Sequence, residues 1–428
     1  MSNGLLWFRT DLRLSDNLAL KAAMEQSSAI VPVYILEEQW FQKDEWGFDR
    51  TGPFRLQFLL ECLVDLKTHL EELGSRLIIK RGNAATLVPE LATAYNCSTV
   101  FASKEYTYEE IKIEDRIAEQ VDLELFHNSP MIHPDDVKFR IERLPEVFTA
   151  FRQKVEKYSE VREAFLSPKS IKSPELEKTA IPQLSDFGFE PFTADKRAVL
   201  PFKGGALAAW NRLDHYFWDK ECLSEYKETR NGLIGADYSS KFSAWLAHGC
   251  ISARSIYAEV EKYEQEVERN KSTYWMKFEL LWRDFFKYTA MRYGSSIFMV
   301  NGIKNKQKKW RYNAPVVQRW IDGETGDDFV DANMHELKQT GFMSNRGRQN
   351  VASYLVHKLG QDWRAGAAWF ESMLIDYDVT SNYGNWIYAA GVGNDPRDRV
   401  FNTQRQANMY DKQGKFRDLW LSEERVTS

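Results

Sequence analysis

The sequence is poor in cysteine. Its four residues, Cys62, Cys97, Cys222 and Cys250, form no CxxC pair and no metal-ligand spacing. That excludes a disulfide-stapled scaffold and suits a reducing cytoplasm. No apolar run approaches the roughly 20 residues that cross a bilayer. No signal or transit segment precedes the first strand-like stretch. A cytoplasmic protein with no membrane partner is expected. GxGxxG and P-loop patterns are missing, so ordinary NAD or ATP binding is not indicated. The seven histidines make no HExxH arrangement. The spacing of Asp376, Asp378 and Asn382 superficially suggests a calcium loop, but Ser381 stands where such a loop needs glycine and Ile387 where it needs glutamate. No metal is expected. The net charge of −5 argues against a wholly basic nucleic-acid coat and leaves room for a local basic face.

Aromatic residues, by contrast, make up 14% of the 428 positions, and 11 of the 14 tryptophans follow residue 200. The chain is long enough for two or more domains with their own cores. Residues 1–127 alternate strand-like runs (5–9, 30–36, 76–80, 99–102 and 122–126) with helix-like text. The clearest helix covers 53–73, where Leu59, Leu63, Leu66, Leu70 and Leu73 recur at helical spacing between Pro53 and Gly74. Alternating elements imply a doubly wound, Rossmann-like parallel sheet, which binds ligands at the carboxyl ends of its strands. Residues 128–201 hold eight of the 13 prolines and read as a long connector with some helix near 145–163. From 202 to 428 helical periodicities succeed one another (207–217, 243–248, 255–267, 273–293, 349–359 and 365–374). The expected fold class is α/β followed by an all-α domain.

The polar groups of the helical part concentrate between Gly341 and Gly391. Asn345, Arg346 and Arg348 precede a helical run, and Asp376, Asp378 and Asn382 crowd into seven residues just before Trp386. Burying so many amides and charges is costly unless each is paired. A polar ligand would supply the partners; helix caps and surface ion pairs are the plainer alternative. Ser239-Ser240-Lys241-Phe242-Ser243 opens a helix and offers either a phosphate seat or an ordinary cap. Trp275, Glu279, Trp282 and Phe286 share one helix face. Glu279 there either meets a ligand from a partly desolvated place or forms an i,i+4 ion pair with Arg283. Lys304–Trp320 carries Lys304, Lys306, Lys308, Lys309, Arg311 and Arg319 with no acidic residue, interleaved with Trp310, Tyr312 and Trp320. Such a stretch binds nucleic acid through phosphate contacts and base stacking, or is a solvated loop. Trp310, Trp363 and Trp386 are either core packing or an electron relay.

These residues resemble the photolyase/cryptochrome family, most closely its cryptochrome DASH branch. The likeness covers essentially the whole chain. LLWFRTDLRLSDN is similar to the family's opening strand and loop. YKETRNGLIGADYSSKFS, FELLWRDFF, TGFMSNRGRQNVASYL and DYDVTSNYGNW are similar to its flavin-pocket blocks, in the family's order. RDRVFN and YDKQGKFRDLWL also match. The resemblance implies FAD in the helical domain. Tyr226 and Ser239 to Ser243 would hold its phosphate side. Arg283, Asn345, Arg348, Asp376 and Asp378 would line the flavin, with Arg348 paired to Asp376. Asn382 would lie near flavin N5, where a neutral amide accepts a hydrogen bond and favours reduced flavin. Trp386, Trp363 and Trp310 fall on the positions of the family's photoreduction chain, proximal to distal. A folate antenna, 5,10-methenyltetrahydrofolate, would sit between the domains against Glu109.

The implied activity is that of a deoxyribodipyrimidine photo-lyase: a flavoprotein whose light-excited, reduced FAD donates an electron to a cyclobutane pyrimidine dimer. Glu279 would stabilise the dimer through a hydrogen bond, and Trp282 and Tyr388 would pack against its bases. Arg230, Lys304, Lys308, Lys309 and Arg311 would hold phosphates. Tyr388 and Gln349 replace a lesion-stacking Trp and a Met of the enzymes that repair duplexes. Extracting a lesion from a duplex costs a few kcal/mol more than taking it from a single strand. Single-stranded DNA is therefore the expected partner, with RNA or duplex DNA weaker, and the protein is expected to act as a monomer. The alternative function is a blue-light photoreceptor that signals through flavin redox change. The chain ends eight residues after Trp420, with no long tail of the kind that would favour signalling.

Overall fold

Strands β1 (Asn3–Phe8), β2 (Ile30–Glu37), β3 (Ile78–Gly82), β4 (Cys97–Ser103) and β5 (Asp122–Phe126) form one parallel sheet in the order β3-β2-β1-β4-β5. Helices α1 (Leu18–Gln26), α2 (Pro53–Glu72), α3 (Ala84–Ala94) and α4 (Tyr108–Ala118) join them. The computed structural model describes residues 2–395 and 399–422. All eight residues of β2 are buried, which is why IVPVYILE reads as one apolar run and not as an alternation. β1 has β2 on one side and β4 on the other, so the strand order reverses there, and a crevice opens at the carboxyl ends of these strands.

The connector contains α5 (Phe148–Tyr158), and part of it runs beside the sheet layer. Its carbonyls at Phe165 and Lys172 accept from Asp16 and Ile30, and its Ile171 N–H bonds Leu73. The helical part follows as α6 (Ala206–Asp214), α7 (Tyr226–Thr229), α8 (Ser243–His248), α9 (Ala253–Glu266), α10 (Lys271–Tyr293), α11 (Ala314–Asp322), α12 (Asp328–Thr340), α13 (Asn345–Ser353), α14 (Trp363–Met373), α15 (Val379–Ala389), α16 (Thr403–Tyr410) and α17 (Lys415–Leu421). The run expected over 349–359 starts earlier, at Asn345, and widens into a π-type turn over Tyr354–Lys358. No described helix is long and apolar enough to cross a membrane.

One apolar cluster runs from Leu6 and Phe8 of β1 through α2 to Ile256 and Leu281, so the sheet and the helices share a core. A second surrounds Trp320, Trp363 and Trp386. The β1–α1 loop is fastened to the start of α9 by a buried ion pair, Arg254 Nε to Asp16 Oδ2 at 2.9 Å, with side chains 2% and 1% exposed. Nearby, a Cβ on Gly249 would stand 2.0 Å from the Thr10 carbonyl oxygen, so only glycine lets α8 end against this loop. Asp16→Ala leaves the Arg254 cation buried without its counter-ion. The expected loss is about 3–5 kcal/mol in urea unfolding. A change below about 1 kcal/mol, the scale of exposed pairs, would mean the pair does not hold the two parts together.

Candidate functional site

Helices α10, α13, α14 and α15 enclose a cavity of about 530 Å³. Asn270 begins α10 by accepting from the N–H groups of Ser272 and Thr273, which fixes the register of the face carrying Glu279, Trp282 and Phe286. All three line the cavity. Glu279 Oε1 accepts from Arg230 Nη1 at 2.6 Å and from Trp275 Nε1 at 3.1 Å. Burial pushes the Glu279 carboxyl above the usual range, and Arg230 and then Trp275 only partly offset it. The i,i+4 pair with Arg283 does not form. Arg283 instead donates to the carbonyls of Ser129 and Leu246 and to Ser129 Oγ, with its guanidinium still on the cavity wall. Arg230, expected on DNA phosphates, is held inside by Glu279.

Ser344 caps α13 by accepting from the Gly347 N–H, and Arg348 leaves that first turn to donate to Asp376 Oδ2 at 2.9 Å. Asp376 Oδ1 is buried with no hydrogen-bond partner among the described residues. The Asp378–Asn382 spacing is that of a capped helix: Asp378 Oδ1 accepts from the Ser381 N–H at 2.8 Å and starts α15. Asn382 spends its amide N–H on the Ala367 carbonyl at 3.0 Å, which leaves Oδ1 as an acceptor in the cavity wall. Unpaired acceptors at Asp376 and Asn382, beside the Arg348 cation, suit a flat heterocycle with N–H donors, as a flavin has. Asn345 and Gln349 complete this side.

The mouth is aromatic. Trp282 stacks on Phe148 of α5 (centroids 3.8 Å apart, planes at 11°), and Tyr388 meets it edge-on at 5.8 Å. Arg346, which the sequence places in the polar cluster without a role, also lines the cavity. It donates to Gln349 Oε1 and Asn231 Oδ1, each at 2.9 Å. Asn385, Arg399 and Phe401 join them. Only position within the family-like blocks points to these residues, and Arg397 and Asp398 of RDRVFN lie outside the described residues.

Other expected residues lie elsewhere. Tyr226 and Ser239 to Ser243 are not part of this cavity's lining. The helix after them has six residues, Phe242 stands at its N-cap, and no side chain caps it. Arg212 fixes the bend before it through the carbonyls of Ser239 and Ser240, and Lys241 Nζ donates to Ser239 Oγ at 3.1 Å. Within the basic stretch, Lys304 pairs with Glu146 at 2.6 Å, and Lys308 donates to the Ala390 carbonyl at the end of α15. Lys309 and Arg311 are exposed. Trp386 lines the cavity. Gly366 makes room for it, since a Cβ there would lie 2.2 Å from its ring. Trp363 is fully buried with Nε1 on the Val300 carbonyl, and half-buried Trp310 packs against the same cluster.

A second cavity of about 530 Å³ occupies the crevice at the ends of β1 and β4, facing the helical part. Glu109 lines it and is half-exposed, paired to Arg50 at 2.7 Å; Arg50 also reaches Glu371. Glu105, more deeply set, accepts from Thr10 Oγ1, and burial pushes its carboxyl up to about 7 against the pull of Arg9 and Lys287. Tyr377 and Asp378 line both cavities.

Residues 4–172 match the family model described as DNA photolyase, and residues 275–427 the FAD binding domain of DNA photolyase. A cryptochrome DASH of Gloeobacter violaceus is 46% identical over 98% of this chain and 85% of its own length. The crystal structure of a Synechocystis sp. cryptochrome superposes with a TM-score of 0.95 at 46% identity, covering 99% of this chain and 89% of that one. An archaeal photolyase from Sulfolobus tokodaii, solved with two FAD molecules, superposes with a TM-score of 0.81 at 25% identity, covering 99% and 91%.

Proposed function

The chain belongs to the photolyase/cryptochrome family, in its cryptochrome DASH branch, and on that premise we propose that it is a light-driven flavoprotein that splits cyclobutane pyrimidine dimers, preferring those in single-stranded DNA. The observation that carries this reading is the convergence in one cavity of Arg348, Asp376, Asp378 and Asn382 with Glu279, Trp282 and Tyr388. FAD held by these residues would supply light-driven one-electron chemistry to the dimer, with no net redox change. Asp376 Oδ1 and Asn382 Oδ1 would accept from flavin N–H groups, while Arg348 holds the other Asp376 oxygen. Tyr226 and Ser239 to Ser243 hold the phosphate side on the strength of the resemblance.

Glu279 presents its carboxyl to a dimer carbonyl, where a hydrogen bond strengthens as that oxygen gains charge. Arg230 fixes its orientation. Trp282, backed by Phe148, and the smaller Tyr388 form the walls against the bases. A modest stacking surface recovers less of the cost of flipping a lesion out of a duplex, which favours single strands. Lys309 and Arg311 supply exposed charge for DNA phosphates, with Lys304 and Lys308 available when their contacts exchange; this part of the binding weakens with salt. The second cavity is assigned to 5,10-methenyltetrahydrofolate, with Glu109 at its rim. Trp386, Trp363 and Trp310 would form the relay that supplies electrons to an oxidised flavin. The same relay supports the photoreceptor alternative.

The decisive comparison is dimer repair by chemically reduced protein, in light and in darkness, on single-stranded and duplex oligonucleotides carrying one thymine dimer. Light-dependent repair of the single strand far above the duplex is expected. Equal repair of both would remove the argument from Tyr388 and Gln349. No repair of either, with flavin bound and reduced, would shift the assignment to the photoreceptor.

A further inference from the structure

Lys287 stands at the partition between the two cavities. It lines the interdomain cavity from α10, and its ammonium reaches Asp378 Oδ2 at 2.8 Å, with side chains 4% and 13% exposed. Asp378, with Tyr377, faces both spaces. Its other oxygen accepts from the Ser381 N–H and from Thr380 Oγ1, and so fixes the start of α15, the helix that carries Asn382 and Trp386. One carboxylate thus joins the wall of the helical cavity to a cation that belongs to its neighbour.

We propose that Lys287 is a positioning residue for the flavin site: acting through Asp378, it sets the reduction potential of the bound flavin from outside the flavin cavity. The inference rests on the placement of FAD in the helical cavity. The surrounding charges leave Lys287 few substitutes. Arg283, also on α10, faces the same region but is spent on the carbonyls of Ser129 and Leu246. Arg348 on α13 is paired with Asp376. Asp284 on α10 takes the N–H groups of Met131 and Ile132. From the β4 side, Glu105 and the ring of Tyr106, 6.0 Å away, face the ammonium. Burial alone would push the Asp378 carboxyl up, but Lys287, then Arg283, hold it well below the usual carboxylate range.

Removing the ammonium leaves a buried negative charge beside the flavin, which opposes adding electrons there. Asp378 then also gains a reason to take a proton as the flavin is reduced. The variant potential therefore acquires an extra dependence on pH.

The test compares the flavin-bound wild type with Lys287→Met, Lys287→Arg and the double variant Lys287→Met/Asp378→Asn. Flavin content is read from absorbance. Midpoint potential is read by dithionite reduction against a reference dye between about pH 6 and 9. Lys287→Met is expected to shift the two-electron equilibrium roughly tenfold or more toward oxidised flavin at the alkaline end, about 30 mV. The gap should close toward the acid end as Asp378 takes its proton. Lys287→Arg should follow the wild type, and the double variant, lacking both charges, should return toward it. Flavin-bound Lys287→Met with wild-type potential and pH slope would overturn the inference. If Lys287→Met fails to hold flavin, the double variant decides: bound flavin at near wild-type potential supports the charge pairing, and no binding overturns it in favour of a structural role. A wild type that binds no FAD would overturn the functional reading itself, a result plainly different from bound flavin with unchanged potentials.

Discussion

Trp386→Phe is expected to bring light-driven reduction of bound, oxidised flavin down to near the dark rate, while the protein keeps its flavin and still repairs dimers once reduced chemically. The physical basis is the difference between indole and benzene. Indole gives up an electron far more readily, and Trp386 is the member of the tryptophan set that lines the helical cavity. Its ring is buried, edge-on to Phe370 at 5.1 Å and to Trp320 at 6.4 Å. Phenylalanine keeps most of that packing, so the stability loss should be well under the ~3–5 kcal/mol of truncation to alanine. Flavin content and repair by pre-reduced protein are the controls. Unchanged photoreduction would remove the relay assignment. Trp363→Phe should reproduce most of the loss, because Trp363 sits fully buried in the same cluster, its Nε1 on the Val300 carbonyl. If Trp363→Phe has little effect while Trp386→Phe is inactive, Trp320 becomes the next electron donor to Trp386, since its ring adjoins Trp386 on the other side.

The α/β half was legible because its rules are local. β2 is apolar on both faces, and α2 repeats leucine at helical spacing between Pro53 and Gly74. The helical half was harder for two reasons. α12 buries Asp331, Asn333 and Glu336 beside its apolar residues, so its periodicity does not stand out. α15, VTSNYGNWIYA, is rich in poor helix formers and is started by the Asp378 cap and held by its neighbours. In both cases tertiary packing overrides the local preference.

The site was legible by residue type and not by partnership. Polar density between Gly341 and Gly391 marks the cavity wall, and the structure gathers Asn345, Arg348, Asp376, Asp378 and Asn382 there. The pairings that give these groups their chemistry join distant positions: Arg230 with Glu279, and Lys287 with Asp378. Spacing along one helix suggested Arg283 for Glu279, and the backbone carbonyls of Ser129 and Leu246 claimed it instead. In the basic stretch, composition could not reveal that Lys304 and Lys308 are tied to Glu146 and to the end of α15.

That long-range pairing makes Glu279→Gln the most informative substitution at the substrate end. Glutamine matches glutamate in size and still offers Oε1 to Arg230 and Trp275, so flavin content should change little. Its amide N–H is a weaker donor with no transferable proton, so the acidic O–H that would answer charge developing on a dimer carbonyl is lost. Repair per absorbed photon should fall on the order of tenfold to a hundredfold, the scale of one well-placed donor. The pH dependence adds a second signature. Burial, outweighing Arg230 and Trp275, raises the Glu279 pKa in the folded protein. The neutral, donating form therefore persists to higher pH than in an ordinary glutamate, and wild-type repair should decline as pH rises through that raised value. The same shift means that the folded state binds this proton more tightly than the unfolded chain. The stability it contributes is complete below the unfolded pKa and is lost as pH rises through the folded one. Glutamine does not titrate, so the variant's residual repair should be flat across that window. Equal losses of flavin and repair would reduce Glu279 to a structural partner of Arg230, and a variant that repaired as well as the wild type would take the carboxyl out of the reaction.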